Sequence, residues 1–279
     1  MRNCLENRYV VLTGASSGIG RELCKLLVLK YKAKVIGIGR KESKMLSLKE
    51  ELGESADKFT YRLFDVGDKE NWTAFKTWLS EENIEPILLI NNAGAFPTFS
   101  KVLNVEPETA ERIMRNNYFS IVYAVNALSP VLKGEGRDKP AIVNISSSAG
   151  LCSVVGTGVY SASKAAVKGY SEALQIEEKG RMYVGIVYPG TTKTELFDGD
   201  EKTKNSAIDR IAMPASKMAK KIARKILRKR KRAVVGWDAK TMSFLARTMP
   251  VKGTFLVGGV LKASKSKVFS EVFDYGKKK

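Results

Sequence analysis

Tyr160 and Lys164 stand four residues apart in Val159-Tyr160-Ser161-Ala162-Ser163-Lys164, and Ser147 precedes the tyrosine by thirteen. Four residues make about one helical turn, so a helix through this stretch puts the phenol and the ammonium on one face. A free tyrosine titrates near 10 and exchanges protons poorly at neutral pH; a cation held close stabilises the phenolate and lowers that value. Tyr160 then suits proton transfer to and from a substrate oxygen. The Ser147 hydroxyl can donate a hydrogen bond to the same oxygen as negative charge develops on it. This is the chemistry of a carbonyl and its alcohol, although the Tyr-x-x-x-Lys spacing alone also fits a solvated helix face.

Something must position these groups. Near the start of the chain the apolar run Tyr9-Val10-Val11-Leu12 leads into Thr13-Gly14-Ala15-Ser16-Ser17-Gly18-Ile19-Gly20, after which Leu23, Leu26 and Leu27, with Lys30, repeat at helical spacing. The pattern predicts a strand, a glycine turn and a helix. Glycines let the backbone approach a pyrophosphate, and the N–H groups at the helix start favour an anion. The spacing Gly14-x-x-x-Gly18-x-Gly20 differs from G-x-G-x-x-G, and a glycine turn also serves plain packing.

Thr13 to Gly20, then Asn91-Asn92-Ala93-Gly94, then Tyr160 with Lys164 resemble, in order, the motifs of the short-chain dehydrogenase/reductase family. The resemblance covers residues 8 to about 237. It implies that Ser147, in Ile145-Ser146-Ser147, is the family's serine ahead of Ser146 and Ser148. It implies that Asn117, ahead of Asn116, helps hold a proton-relay water, and that Lys164 both tunes Tyr160 and holds the nicotinamide ribose. Tyr160 and Lys164 thereby join the cofactor residues Gly14, Ser16, Ser17, Gly18, Ile19, Gly20, Asn92, Ala93 and Gly94. Pro189-Gly190-Thr191-Thr192-Lys193-Thr194 resembles the segment that lines the nicotinamide, so Pro189, Gly190, Thr191, Thr192 and Thr194 belong to the same set. Asp65 and Val66 resemble the pair beside the adenine; Asp65 also suits a helix cap. The family further implies a small-molecule carbonyl or alcohol substrate and a homo-oligomer, dimer or tetramer.

Charge discriminates between the two nicotinamide cofactors. NADP carries an extra phosphate on the adenosine ribose, met at the end of the second strand, where an acidic residue repels it and an arginine pairs with it. Arg40 and Lys41 follow Lys34-Val35-Ile36-Gly37-Ile38-Gly39, Arg40 falling twenty residues after Gly20. NADP(H) is expected over NAD(H), unless the two cations merely open a solvated helix.

Strand-like runs at 8–13, 33–38, 59–64, 86–91, 140–146, 182–188 and 232–237 alternate with helical stretches. They predict an α/β fold: a doubly wound, Rossmann-like parallel sheet of about seven strands with helices on both faces. Ligands bind such sheets beyond the carboxyl ends of the strands, where Gly14, Asn91, Ser147 and Pro189 fall. Residues 1–237 read as the dinucleotide-binding and catalytic domain, 238–279 as a C-terminal extension packed on or near the substrate site.

The chain has no histidine, so His-based triads and histidine-ligated metals are excluded, and no metal site is expected. Cys4, Cys24 and Cys152 form neither a C-x-x-C pair nor a disulfide framework, which suits a reducing compartment. The first residues lack the apolar core of a signal peptide, making the cytoplasm the expected location. Charge is uneven: residues 1–201 hold 26 basic and 25 acidic side chains, whereas 202–279 hold 22 and 4. Within 217–232, Ala219, Ile222, Ala223, Ile226 and Leu227 define the apolar face of a basic amphipathic helix. That helix fits either a packed surface helix or a peripheral contact with anionic lipid. No reader motif for nucleic acid accompanies the cations.

The extension could be a cover over the substrate site, a subunit contact or a membrane foot; its layout is similar to family members that reduce long-chain or lipid-like ketones. Residues 191–212 resemble the family's substrate lid, with Leu196, Phe197, Ile208 and Ile211, and the following Met213, as candidates to touch an apolar substrate. The expected activity is NADP(H)-dependent interconversion of a ketone and a secondary alcohol. The alternative is a non-catalytic NADP(H)-binding scaffold or sensor whose basic tail contacts a membrane or partner.

Overall fold

The computed structural model describes residues 4–134, 136, 138–194, 209 and 211–273. Each of the seven strand-like runs forms a strand: β1 (Tyr9–Thr13), β2 (Lys34–Gly39), β3 (Phe59–Leu63), β4 (Pro86–Asn91), β5 (Ala141–Ile145), β6 (Tyr183–Pro189) and, after a short parallel pair β7 (Thr192–Lys193) and β8 (Met213–Pro214), β9 (Arg232–Val235). They make one parallel sheet in the order β3-β2-β1-β4-β5-β6-β9. The order reverses between β1 and β4, and that switch point opens a crevice at the carboxyl edge.

The strands are apolar on both sides because helices cover both faces. On β1, Val10 and Leu12 point to one layer and Val11 to the other, as side chains alternate along a strand. The first layer holds α1 (Gly18–Lys25), α2 (Glu42–Glu51) and α7 (Ala215–Leu227), with Leu23, Met45, Leu48 and Ile222 buried among the strands. The second holds α3 (Lys69–Glu81), α5 (Ser120–Leu128) and α6 (Gly158–Glu177), through Trp72, Phe75, Leu79, Val125 and Val167. The basic helix α7 thus buries Met218, Ala219, Ile222, Ala223 and Ile226 against the sheet and α1. A short α4 (Pro107–Met114) precedes α5.

Two departures from the predicted pattern matter. The helix begun by α1 changes at Leu26–Lys30 into a π-helical turn, and a second π-turn, Arg115–Phe119, separates α4 from α5 and carries Asn117. The run predicted as strand to residue 237 stops at Val235: Gly236 takes φ +117°, which L side chains rarely adopt, and α8 (Trp237–Thr248) starts at once. After α8 comes α9 (Lys252–Ala263), then a single 3-10 turn, Lys267–Phe269, whose Phe269 packs with Phe99 and Val268 in a third, small core. Among the described residues no helix is long and apolar enough to cross a membrane, and no cluster of metal-ligating side chains occurs. The three cysteines are unpaired.

Candidate active site

The sharp turn after β1 explains its glycines. Gly14 sits at φ +67° and Gly18 at φ +52°. At Gly20 a Cβ would stand 2.0 Å from the Gly14 carbonyl oxygen and 2.5 Å from Asn92 Nδ2, so α1 rests directly on the turn. Gly20 therefore acts through packing, while Gly14, Ser16, Ser17, Gly18 and Ile19 line the cleft. Ser17, the N-cap of α1, makes no side-chain capping bond, leaving the first N–H groups of the helix to a ligand. Across the switch point, Thr13 Oγ1 accepts hydrogen bonds of 2.9 Å from the N–H groups of both Asn92 and Ala93, and Asn92 Nδ2 donates to the Thr13 carbonyl at 3.0 Å. The first and second motifs are thus one hydrogen-bonded unit. Beneath them Asn91 Nδ2 donates to Asn144 Oδ1, and Asn144 Nδ2 to Ser171 Oγ, a buried chain joining β4, β5 and α6.

Helix α6 carries Tyr160 and Lys164 on its inner face, both buried. Of the three serines after β5, Ser146 Oγ is turned inward to donate to the Lys164 carbonyl at 2.8 Å, whereas Ser147 shares a side-chain hydrogen bond with Tyr160. The Ala149 N–H donates to Ser147 Oγ at 3.2 Å, so the serine keeps its own proton to donate elsewhere. Lys164 Nζ donates to the Ile145 carbonyl at 3.2 Å and lies 5.8 Å from the Tyr160 ring centre. Burial pushes Lys164 down to about 8 and pushes the Tyr160 phenol up, the Ser147 hydrogen bond opposing the latter. Dehydration of a buried phenolate thus acts against the lowering that a nearby cation would give Tyr160.

Asn117 is fully buried, but its side chain does not face the cleft. Its Oδ1 accepts from the Ala95 N–H at 2.7 Å, and its Nδ2 donates to the Ala95 carbonyl at 2.9 Å and to Ser163 Oγ at 3.0 Å. Ser163 Oγ in turn donates to the Tyr160 carbonyl at 2.7 Å. Asn117 thus locks the segment after Gly94 to α6, while the Asn116 side chain donates to the Arg112 carbonyl of the preceding α4. Ser163 is a positioning residue that the motifs do not single out.

A cavity of about 720 Å³ runs along this edge and joins Tyr160, Lys164 and Ser147 to both motif loops. Arg40, Lys41 and Lys44 line one end, and Lys41 is also the N-cap of α2, so the pair does open a helix. Asn92, Ala93 and Gly94 line the middle with Pro189, Gly190, Thr191, Thr192 and Thr194. Asp65 and Val66 are not among the described lining residues: Asp65 Oδ1 accepts from the Gly67 N–H, Val66 packs under Trp72, and the cap of α3 is Asp68. Sequence reasoning missed Asp238, whose Oδ2 accepts from the Thr191 N–H at 2.6 Å and whose carboxylate fills the space a Gly190 side chain would need. It also missed Phe96, which meets Tyr160 edge-on at 5.1 Å and stacks onward through Phe99 to Phe269. The other end of the cavity is apolar, walled by Met242, Leu245, Val257 and Leu261 of the extension together with Ile211. Met213 packs instead against the first core, and Leu196, Phe197 and Ile208 lie outside the described residues.

The residues fit a dinucleotide. A Cβ at Gly94 would stand 3.2 Å from Asn117 Oδ1 and 3.3 Å from Lys164 Nζ, so glycine lets this loop lie close against both side chains. The uncapped helix start faces the same cavity as the cations at the end of β2.

Known proteins resemble this chain in sequence and in fold. The short chain dehydrogenase family model matches residues 8–205. The 3-ketodihydrosphingosine reductase of Bos taurus is 31% identical over 205 residues, 72% of this chain and 61% of that protein, so the match spans about three fifths of the relative's length. The NADPH-dependent pterin aldehyde reductase of Arabidopsis thaliana is 30% identical over 214 residues, 76% of this chain and 87% of its own. A short chain dehydrogenase/reductase of Burkholderia phymatum, solved in complex with NAD, superposes with a TM-score of 0.73 at 21% identity, covering 83% of this chain and 89% of that one. With its glycine turn, its Asn-Asn-Ala-Gly loop and its Ser147, Tyr160 and Lys164 brought to one cleft, the chain belongs to the short-chain dehydrogenase/reductase family.

Proposed function

We propose that the protein is an NADP(H)-dependent oxidoreductase that interconverts a ketone and a secondary alcohol, acting as a reductase of an apolar carbonyl compound. The observation that carries the reading is one continuous cavity with cations at one end, Ser147, Tyr160 and Lys164 at its middle, and an apolar wall at the other end. When bound, the nicotinamide supplies or accepts the hydride. Ser147 fixes the substrate oxygen, and Tyr160 gives its phenolic proton to the oxygen as the alcohol forms. Because burial raises the phenol, Tyr160 holds that proton at neutral pH, which suits reduction. Lys164 supplies positive charge beneath the site, and Asn117 with Ser163 keeps the loop and the helix in register.

Arg40 and Lys41, with Lys44 beside them, support NADP(H) over NAD(H), since a ribose phosphate would otherwise meet no countercharge. The names of the bovine and plant relatives are consistent with a reductase. A cytoplasmic location and a dimeric or tetrameric assembly belong to the same proposal. The alternative, a scaffold or sensor that binds NADP(H) without turnover, is disfavoured by Ser147, Tyr160 and Lys164 all lining the one cavity.

The test is oxidation of NADPH and NADH, in parallel, with ketones graded from small and polar to long-chain and steroid-like. NADPH-dependent turnover that grows with apolar size is expected. An NADH preference would overturn the cofactor assignment, and tight NADPH binding without turnover across the panel would favour the sensor.

A further inference from the structure

Helix α9 has one buried residue in twelve, Gly253. Phe255, Leu256 and Val260 are 76%, 52% and 63% exposed, and no atom lies within 4 Å of where side chains at Gly258 and Gly259 would begin. On α8, Trp237, Lys240, Thr241, Phe244, Arg247 and Thr248 form one exposed stripe, so aromatic rings alternate with cations along it. Apolar surface of this extent marks a face that something covers.

Charge selects what covers it. Between 237 and 273 there are six lysines and arginines, all exposed, and two acidic residues, of which Asp238 is turned inward to Thr191. A second copy docked on the same face by two-fold symmetry would bring these cations against their own counterparts. An anionic surface would be complementary to them. A twelve-residue helix reaches only about 18 Å, too short to span a bilayer but suited to lie in its interface.

We propose that the α8–α9 hairpin docks on an anionic lipid surface, with Phe244 and Phe255 inserted at headgroup depth and Lys240, Arg247 and Lys252 paired with lipid phosphates. Trp237, Leu256 and Val260 belong to the exposed face and also line the cavity. The cavity mouth therefore opens within the docked face, and an apolar substrate enters from lipid; this last step rests on the reductase reading above.

The test is flotation of the full chain with vesicles of phosphatidylcholine alone and of phosphatidylcholine mixed equally with phosphatidylglycerol. Binding to the mixed vesicles only, weakened by salt and accompanied by a blue shift of tryptophan emission that Trp237→Phe removes, is expected. The Phe244→Ser/Phe255→Ser variant should bind about tenfold or more weakly while turning over a water-soluble ketone as the parent does. The Lys240→Glu/Arg247→Glu variant should lose the preference for anionic lipid. Absence of flotation, equal binding by the serine variant, or a dimer in solution that the serine variant dissociates would overturn the proposal. Flotation is read without turnover, so a protein that floats but reduces nothing would sink the reductase reading and leave this one standing.

Discussion

The two ends of the cavity are built by different means. At the cofactor end, backbone and short polar side chains dominate: Thr13 bridges two N–H groups, Gly20 lies against the Gly14 carbonyl, and cations gather beyond β2. At the end proposed for the substrate, contact is between apolar side chains, Phe96 packing on Phe99 and Phe99 on Phe269 of the extension. The first end tolerates little change in geometry, because hydrogen bonds are directional and the glycines stand where a side chain would clash. The second tolerates repacking, because dispersion and apolar burial are non-directional.

The strongest way to break this comparison is at its centre. Tyr160→Phe should lower turnover by about a thousandfold or more, within the range for loss of a positioned proton donor, while NADPH binding by fluorescence titration stays within a few fold. Comparable turnover by the variant would remove Tyr160 from the chemistry.

At the substrate end, Phe269→Ala should lower unfolding stability in denaturant by about 3 kcal/mol, the usual range for a buried aromatic, and raise KM for apolar ketones more than for NADPH. An equal effect on both KM values would mean that the ends are not separable. At the cofactor end, Arg40→Asp should raise KM for NADPH by about tenfold to a hundredfold and leave that for NADH little changed, as expected when a charged hydrogen bond to phosphate is replaced by repulsion.

The smallest effect concerns Lys164. Its burial holds it at about 8, below the ordinary lysine value near 10.5, so the unfolded chain binds more protons between those values and stability rises with pH across that window. Below pH 8 the charged form is buried at a penalty. Lys164→Met should therefore be more stable than the parent at pH 7, by about 1–2 kcal/mol after loss of the bond to Ile145, with the advantage shrinking above pH 8. Parallel denaturation curves at pH 7 and 9.5 would read this; an advantage that grows with pH would contradict it.

The same contrast explains what the sequence made legible. The seven strands could be located within a residue or two because a sheet covered on both faces leaves uninterrupted apolar runs, as in Val10-Val11-Leu12 and Ile87-Leu88-Leu89-Ile90. Gly14, Ser147, Tyr160 and Lys164 could be placed together because each follows a strand or shares a helix turn. The direction of the Tyr160 shift was not legible, since desolvation depends on everything packed around a group. Nor was the inward turn of Asn117, which lies in a π-turn that no local spacing announces. Asp238 with Thr191, Phe96 with Tyr160 and Phe99 with Phe269 were hidden for the same reason: the partners lie tens of residues apart or more, and only the completed fold brings them into contact.

The apolar wall has one further consequence, for how such a protein changes over generations. The helices that close the far end of the cavity, α8 and α9, follow the last strand as one stretch, held to the rest by the Asp238 carboxylate and the aromatic contact at Phe269 among other contacts. A graft of residues 237–273 from a relative that keeps those two anchors would transplant a substrate preference while leaving the proton-transfer machinery untouched. Diversification by exchange of a tail, rather than by residue-by-residue revision of a core, is what this arrangement permits.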